Sequence, residues 1–406
     1  MLGVCGSRLF AAVVAALALL LPGAGVANAQ QADDARIYQE RFERFMRDPA
    51  NFAYEPIEPV AGAPRYRPIP LVRPGAGRLP AEPVEQAVRY AEANRSTALI
   101  VWRDDRLEVE RYFGATQADT LLPSKSLSKP LTAIAVGRAI ALGHIRSLDQ
   151  PVADFITEWR GTDRASMRIR HLLDMRSGLL DQGFSPDPQH PWNQAYLGLD
   201  HGQYIVDHYP LTHPPGTRFG YANAPSELVA LVIERATGRR YADFIGREVL
   251  GPIGARGGQI WIDRPGGLAH SGCCLMLPAQ DWLRMAVLLI NDGRVGHRRL
   301  LPRGYVAEMR RGTEENPHYG LGIWRGSPWQ ERRGFGAPGA PGPQVLHSAP
   351  YRDPDLYLFD GNSNQTVYVS PANRMIILRM GATPPQNPEW DNSYLPNLLI
   401  DGLRRR

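Results

Sequence analysis

Of the 46 lysines and arginines in this 406-residue sequence only two are lysines, Lys125 and Lys129, and both lie in Leu122-Pro-Ser-Lys-Ser-Leu-Ser-Lys-Pro130. Arginine stays protonated in proteins, whereas a desolvated lysine loses its proton near neutral pH. A chain that keeps lysine only here, three residues after Ser126, points to an amine that titrates. A genomic bias toward arginine is the plainer reading. The Ser-x-x-Lys frame favours chemistry for Lys129, while an ordinary solvated charge suffices for Lys125. A serine hydroxyl is a weak nucleophile until a neighbouring base takes its proton. If Ser126 begins a helix, Ser126 and Lys129 share one face at i and i+3. The helix amino terminus then aims backbone N–H groups at developing negative charge. Pro130 donates no backbone hydrogen bond, so the first turn is expected to be irregular.

The elements that must hold this pair read clearly on both sides. Residues 131–142 form an apolar helix ending at Gly143. Upstream, 82–94 is an amphipathic helix, and 98–103 with 106–113 flank Asp104-Asp105 as a β-hairpin. Downstream, helices are expected at 226–237, 241–250 and 280–291, strands at 319–325, 356–359, 365–370 and 375–380, and a last helix at 392–403. Strands at both ends with helices between them give an α/β (α+β) fold. Its mainly antiparallel sheet is built from both chain ends and flanked by helices, with a helical insertion subdomain. Residues 179–215 are irregular and rich in Pro and Gly, a candidate lid or substrate rim. There Asp181, Asp187 and Trp192 either line the pocket or belong to a solvated loop.

Composition is that of a globular protein, with 43% hydrophobic and 21% charged residues and a net charge of +5 spread along the chain. Short basic spots such as Arg239-Arg240 and Arg404-Arg405-Arg406 suit a solvated surface better than nucleic acid. The amino terminus has the pattern of an export signal: Arg8, an apolar run over 9–21, and Ala27-Asn28-Ala29 as a cleavage site before Gln30. The apolar run is short for a membrane span of about 20 residues and is followed by Pro22-Gly23, so cleavage is expected and a stable anchor is not. The expected organisation is a signal peptide over 1–29, a proline-dotted extension over 30–80 and a catalytic domain over 81–406. Within that domain the sheet comes from about 81–125 and 300–406, and the helical subdomain from about 126–300. Once the leader is removed, Cys273 and Cys274 remain. Neighbours in sequence cannot staple distant parts of a fold, so they read as small core residues, with a vicinal disulfide as the alternative. The ten histidines are scattered without a His-x-x-x-His pair and a Glu, so no metal site and no cofactor are expected.

From about residue 98 to residue 381 the sequence resembles the serine β-lactamase and penicillin-binding-protein superfamily, marked by S-x-x-K. It looks most like the class-C-type branch that also holds esterases and 6-aminohexanoate-dimer hydrolases. The resemblance rests on Ser126-Leu-Ser-Lys129, His171-Leu-Leu-Asp-Met-Arg-Ser-Gly-Leu179, Pro215-Gly-Thr-Arg-Phe219, Tyr221-Ala-Asn223 and Tyr319-Gly-Leu-Gly-Ile-Trp324. It implies that Ser126 is acylated, that Lys129 activates it, and that Tyr221 passes the proton to the leaving group. Asn223 would hold substrate and Lys129, although it could instead cap the following helix. A phenol with an ordinary pKa of about 10 needs a nearby cation to act as a base, and Lys129 is the evident supplier.

The family's third element, Lys-Thr-Gly or its His variant on an edge strand, is where this sequence departs. His270-Ser271-Gly272 comes too soon after Tyr221, and His347-Ser348-Ala349 lacks the glycine and runs into Pro350. Phe359-Asp360-Gly361 aligns better, with Gly361 allowing close approach and the N–H of Asn362 joining that of Ser126 as an oxyanion hole. That strand offers Asp360 and no cation, so a β-lactam carboxylate is expected to be repelled. The sequence therefore indicates an exported serine hydrolase acting on a small ester, amide or peptide. The competing readings are a β-lactamase or D-Ala-D-Ala carboxypeptidase, and a non-catalytic binding or sensing protein on the same fold.

Overall fold

The computed structural model describes residues 23–73 and 75–404. The expected export signal lies for the most part outside them. The first helix, Gly23–Arg47, runs through the Ala29 site. Among the described residues no helix is long and apolar enough to cross a membrane.

Six antiparallel strands form the main sheet, in the order Arg106–Tyr112, Ser96–Arg103, Met375–Gly381, Gln365–Ser370, Tyr357–Gly361 and Trp324–Arg325. Both chain ends supply it, as expected. The first two strands are joined by Asp104 and Asp105 at φ 45° and 67°, the positive values that match the twist of a tight hairpin. Side chains alternate across the sheet. Ile100, Trp102, Ile376, Leu378 and Val367 enter a core shared with helices Ser128–Ala141, Ala224–Thr237 and Ala279–Ile290. Leu99, Val101, Ile377, Tyr368 and Leu358 face the other way, onto helices Ala81–Ala93 and Tyr394–Arg404. Helix Ser128–Ala141 is buried on nearly every side, as an all-round apolar helix must be.

Three features differ from the sequence expectation. A second, four-stranded sheet runs Ile57–Ala61, Gly257–Trp261, Leu275–Leu277, Leu122–Pro123. It places strands inside the stretch expected to be helical and recruits one from the amino-terminal extension. Secondly, the irregular 179–215 stretch contains helices Pro191–Leu197 and His201–Asp207. The first has Pro at its start and His190 accepting from the Trp192 N–H, a favoured helix entry. There Trp192 packs against Phe45 and Tyr196, Asp187 accepts from the Gln189 N–H, and Asp181 accepts from Arg218 Nη2 at 2.8 Å. Thirdly, the strand expected at 319–325 is reduced to Trp324–Arg325, with Tyr319 folded back to bridge Trp324.

Candidate active site

The short strand Leu122–Pro123 delivers the chain to Ser126. Ser124 is clamped on both sides, its N–H donating to Leu275 O at 2.8 Å and its Oγ accepting from Leu275 N at 3.2 Å. Lys125 follows with φ 49°, a left-handed value uncommon outside glycine, and the chain turns through a 3-10 segment Lys125–Leu127 into helix Ser128–Ala141. This is the irregular first turn expected from Pro130, and it leaves Ser126 partly open to solvent. Lys125 points away toward Ala50 O and the Tyr54 hydroxyl.

Lys129 is 1% exposed. Its Nζ lies 3.2 Å from Ser126 Oγ, 2.7 Å from Asn223 Oδ1 and 3.0 Å from Gly272 O. Asn223 Oδ1 and Gly272 O are acceptors only. A neutral amine has two N–H groups and one lone pair, so satisfying both acceptors turns the lone pair toward Ser126. Burial pushes the lysine's pKa down to about 7, against a smaller upward pull from Glu227. Asn223 occupies the position before helix Ala224–Thr237 but makes no side-chain cap there; its side chain is committed to Lys129.

Tyr221 joins the same cluster, with Lys129 Nζ 4.9 Å from its ring centre. Its ring stacks near Trp324 at 5.9 Å and meets Tyr319 and Phe335 edge-on. This apolar setting raises the phenol's pKa well above its ordinary value, opposed by hydrogen bonding with Ser126. Lys129, the cation expected beside this phenol, does lie next to it, while burial works against its ionisation.

Gly361 ends strand Tyr357–Gly361 directly beside Ser126. A Cβ placed on it would sit 3.1 Å from Ser126 N and 3.1 Å from Ser124 O, a tight fit that would push the Ser126 backbone away, so glycine suits this close approach. Asn362 follows, exposed, with its side chain accepting from the Ser363 N–H. The structure thus brings Ser126, Lys129, Tyr221, Asn223 and Gly361 together. Asn362 is tied to the group only as the residue next to Gly361.

Asp360 corrects a second expectation. The strand does meet a cation: Arg333, from strand Arg332–Gly334, forms a buried ion pair with Asp360. The guanidinium lies 4.1 Å from the Trp324 ring centre and 5.1 Å from that of Phe335. Burial raises the Asp360 carboxyl above the usual carboxylate range, with Arg333 opposing. The aspartate's charge is spent on the arginine and is not free to repel a substrate anion.

The cysteines also differ from expectation. Cys273 and Cys274 are both buried, as expected, but they are joined in a vicinal disulfide. It lies under Phe45, Phe52, Tyr54 and Trp192, so the amino-terminal extension covers it. Two of the ten histidines do come together: His201, Glu227 and His270 bring potential ligand atoms within 4.8 Å of one another. The two imidazoles stack at 3.9 Å with 12° between their planes. Sequence reasoning missed Glu227; its one signal was an acid directly before the apolar run Leu228-Val-Ala-Leu-Val-Ile233. Arg333, in a Gly- and Pro-rich stretch, carried no signal.

Comparison with known proteins gives the same outline. The family model for Beta-lactamase matches residues 84–394. The 6-aminohexanoate-dimer hydrolase of Paenarthrobacter ureafaciens is 25% identical over 259 residues, covering 58% of this chain and 65% of that protein. Esterase EstB of Burkholderia gladioli is 31% identical over 154 residues, covering 34% of this chain and 38% of the esterase. The matches thus span two thirds or less of either relative. Among solved structures, a Bacillus anthracis protein provisionally named a 6-aminohexanoate-dimer hydrolase superposes with a TM-score of 0.67 at 19% identity. That superposition covers 87% of this chain and 91% of the other.

Proposed function

The chain belongs to the beta-lactamase family, and on that footing we propose that it is an exported serine hydrolase cleaving small esters or amides through an acyl-Ser126 intermediate. The observation that carries this is the Lys129 amine, buried, weakly basic, and held by two acceptors so that its lone pair faces Ser126. Lys129 takes the Ser126 proton as Oγ forms a bond to the substrate carbonyl carbon. The Ser126 N–H, with that of Asn362, stabilises the oxyanion. The bond to the leaving group then breaks, and Tyr221, a neutral phenol, donates its proton to the departing oxygen or nitrogen while being reprotonated through Lys129. Water enters by the same steps in reverse and frees Ser126. No metal or cofactor takes part in these steps.

Export rests on the leader pattern ending at Ala29, and mass analysis of the mature protein should find Gln30 first. Among the described residues, the cation that meets the Asp360 strand, Arg333, is already paired and packed against aromatic rings. A β-lactam carboxylate therefore finds no free partner on that strand, and esters and amides are the better substrates. The test is a panel of p-nitrophenyl esters, short amides and nitrocefin, with turnover expected on the first two groups. Nitrocefin hydrolysis faster than that of every ester and amide would overturn this reading in favour of a β-lactamase.

A further inference from the structure

We propose that Glu227 is a positioning residue for Lys129, aiming the amine at Ser126 through Gly272 and setting the pH at which it becomes a base. This rests on the Ser126–Lys129 reading above. Gly272 is held at both ends: its N–H donates to Glu227 Oε2 at 3.2 Å, and its carbonyl accepts from Lys129 Nζ at 3.0 Å. A Cβ on Gly272 would lie 2.9 Å from Ser226 Cβ and 3.0 Å from Glu227 Oε1, so the residue is pressed against the helix that carries the carboxylate. Ser271 adds a second clamp, its hydroxyl donating to Ser226 O at 2.7 Å. Glu227 thus fixes one of the two acceptors that orient the lysine lone pair.

Its charge matters as well as its shape. Glu227 is 1% exposed. Burial alone would raise its carboxyl, but His270, His201 and the Gly272 N–H hold it below the usual carboxylate range. The groups facing it are His201 Nε2 and His270 Nδ1, each 3.8 Å from Oε2, with Asp263 behind His201 at 3.0 Å. Tyr196 and Tyr241 also face it, and burial keeps both phenols protonated. Burial, with His201 alongside, lowers the His270 pKa to about 4, so that imidazole is neutral at pH 7. Around Lys129 itself stand Tyr221 and, beyond it, the mutually paired Asp360 and Arg333. Glu227 is then the anion the lysine feels, and an opposite charge favours the protonated amine. Removing it lets the proton leave at lower pH.

The experiment uses the mature protein labelled with 15N-lysine. Only two side-chain signals arise, and Lys125→Arg identifies the one that is not Lys129. Lys129 is titrated alongside the pH profile of kcat/KM on a p-nitrophenyl ester, in wild type and in Glu227→Gln, which keeps an oxygen for the Gly272 N–H. Both the Lys129 midpoint and the acid limb should move down by about one pH unit. An unmoved Lys129 midpoint overturns the proposal. A moved midpoint with an unmoved limb upholds the Glu227–Lys129 coupling and instead sinks Lys129 as the base. If Glu227→Gln fails to fold, Glu227→Asp keeps the charge but withdraws it by one methylene from Gly272. It should lower kcat about tenfold with KM unchanged, and an unchanged kcat overturns the positioning role.

Discussion

Replacing Lys129 with arginine preserves a positive charge but removes the capacity to lose it. With a pKa of about 7, roughly half of the Lys129 side chains are free amine at pH 7, against roughly one in 3,000 for a solvated lysine. In wild type, kcat/KM should therefore fall about tenfold per unit below pH 6 and level off above pH 8. Proton removal by a positioned base contributes about 10²–10⁴-fold, or about 3–5 kcal/mol of barrier. Lys129→Arg should lose that factor on the plateau above pH 8 and lose the acid limb with it, so the gap to wild type narrows as pH falls. The assay is steady-state hydrolysis of a p-nitrophenyl ester from about pH 5.5 to 9, corrected for spontaneous hydrolysis. Lys125→Arg serves as the control that changes nothing, since Lys125 faces Tyr54 and not the site. A Lys129→Arg enzyme within about threefold of wild type on that plateau, or a limb near pH 7 that survives the substitution, would refute the reasoning.

Two further outcomes follow from the packing around the site. Tyr221→Phe keeps the ring against Trp324 and Tyr319, so thermal melting should show an unchanged fold while kcat drops about 10²–10³-fold; normal turnover would remove the tyrosine from proton transfer. Arg333→Met strands the Asp360 carboxylate in the interior and should cost about 3–5 kcal/mol in urea unfolding, most of it recovered when Asp360→Leu is added. A single variant as stable as wild type would mean that Asp360 is not held as an ion by the arginine.

Local signals explain what the sequence revealed. The Asp104-Asp105 hairpin, strand Gln365–Ser370 and the buried helix after Ser126 each announce themselves by turn residues or hydrophobic pattern, and each stands within a few residues of its expected place. Ser126 and Lys129 stood out by type and spacing and Tyr221 and Asn223 by the family resemblance, and the fold brings the four together. What remained hidden depends on contacts between distant segments. Ile57–Ala61 pairs with Gly257–Trp261 across nearly 200 residues, and Asp360 meets Arg333 from a separate two-stranded ribbon. Neither pairing leaves a periodic trace. The surroundings of Tyr221 were hidden for a related reason: they are set by Trp324, Tyr319 and Phe335, which only folding assembles.

The central claim, that Ser126 carries the acyl group, is tested most directly by covalent labelling. Intact mass and peptide mapping after treatment with a fluorophosphonate probe should show a single adduct on Ser126, absent from Ser126→Ala and slow to form in Lys129→Arg. An adduct on another residue, or ester turnover that survives Ser126→Ala, would contradict it.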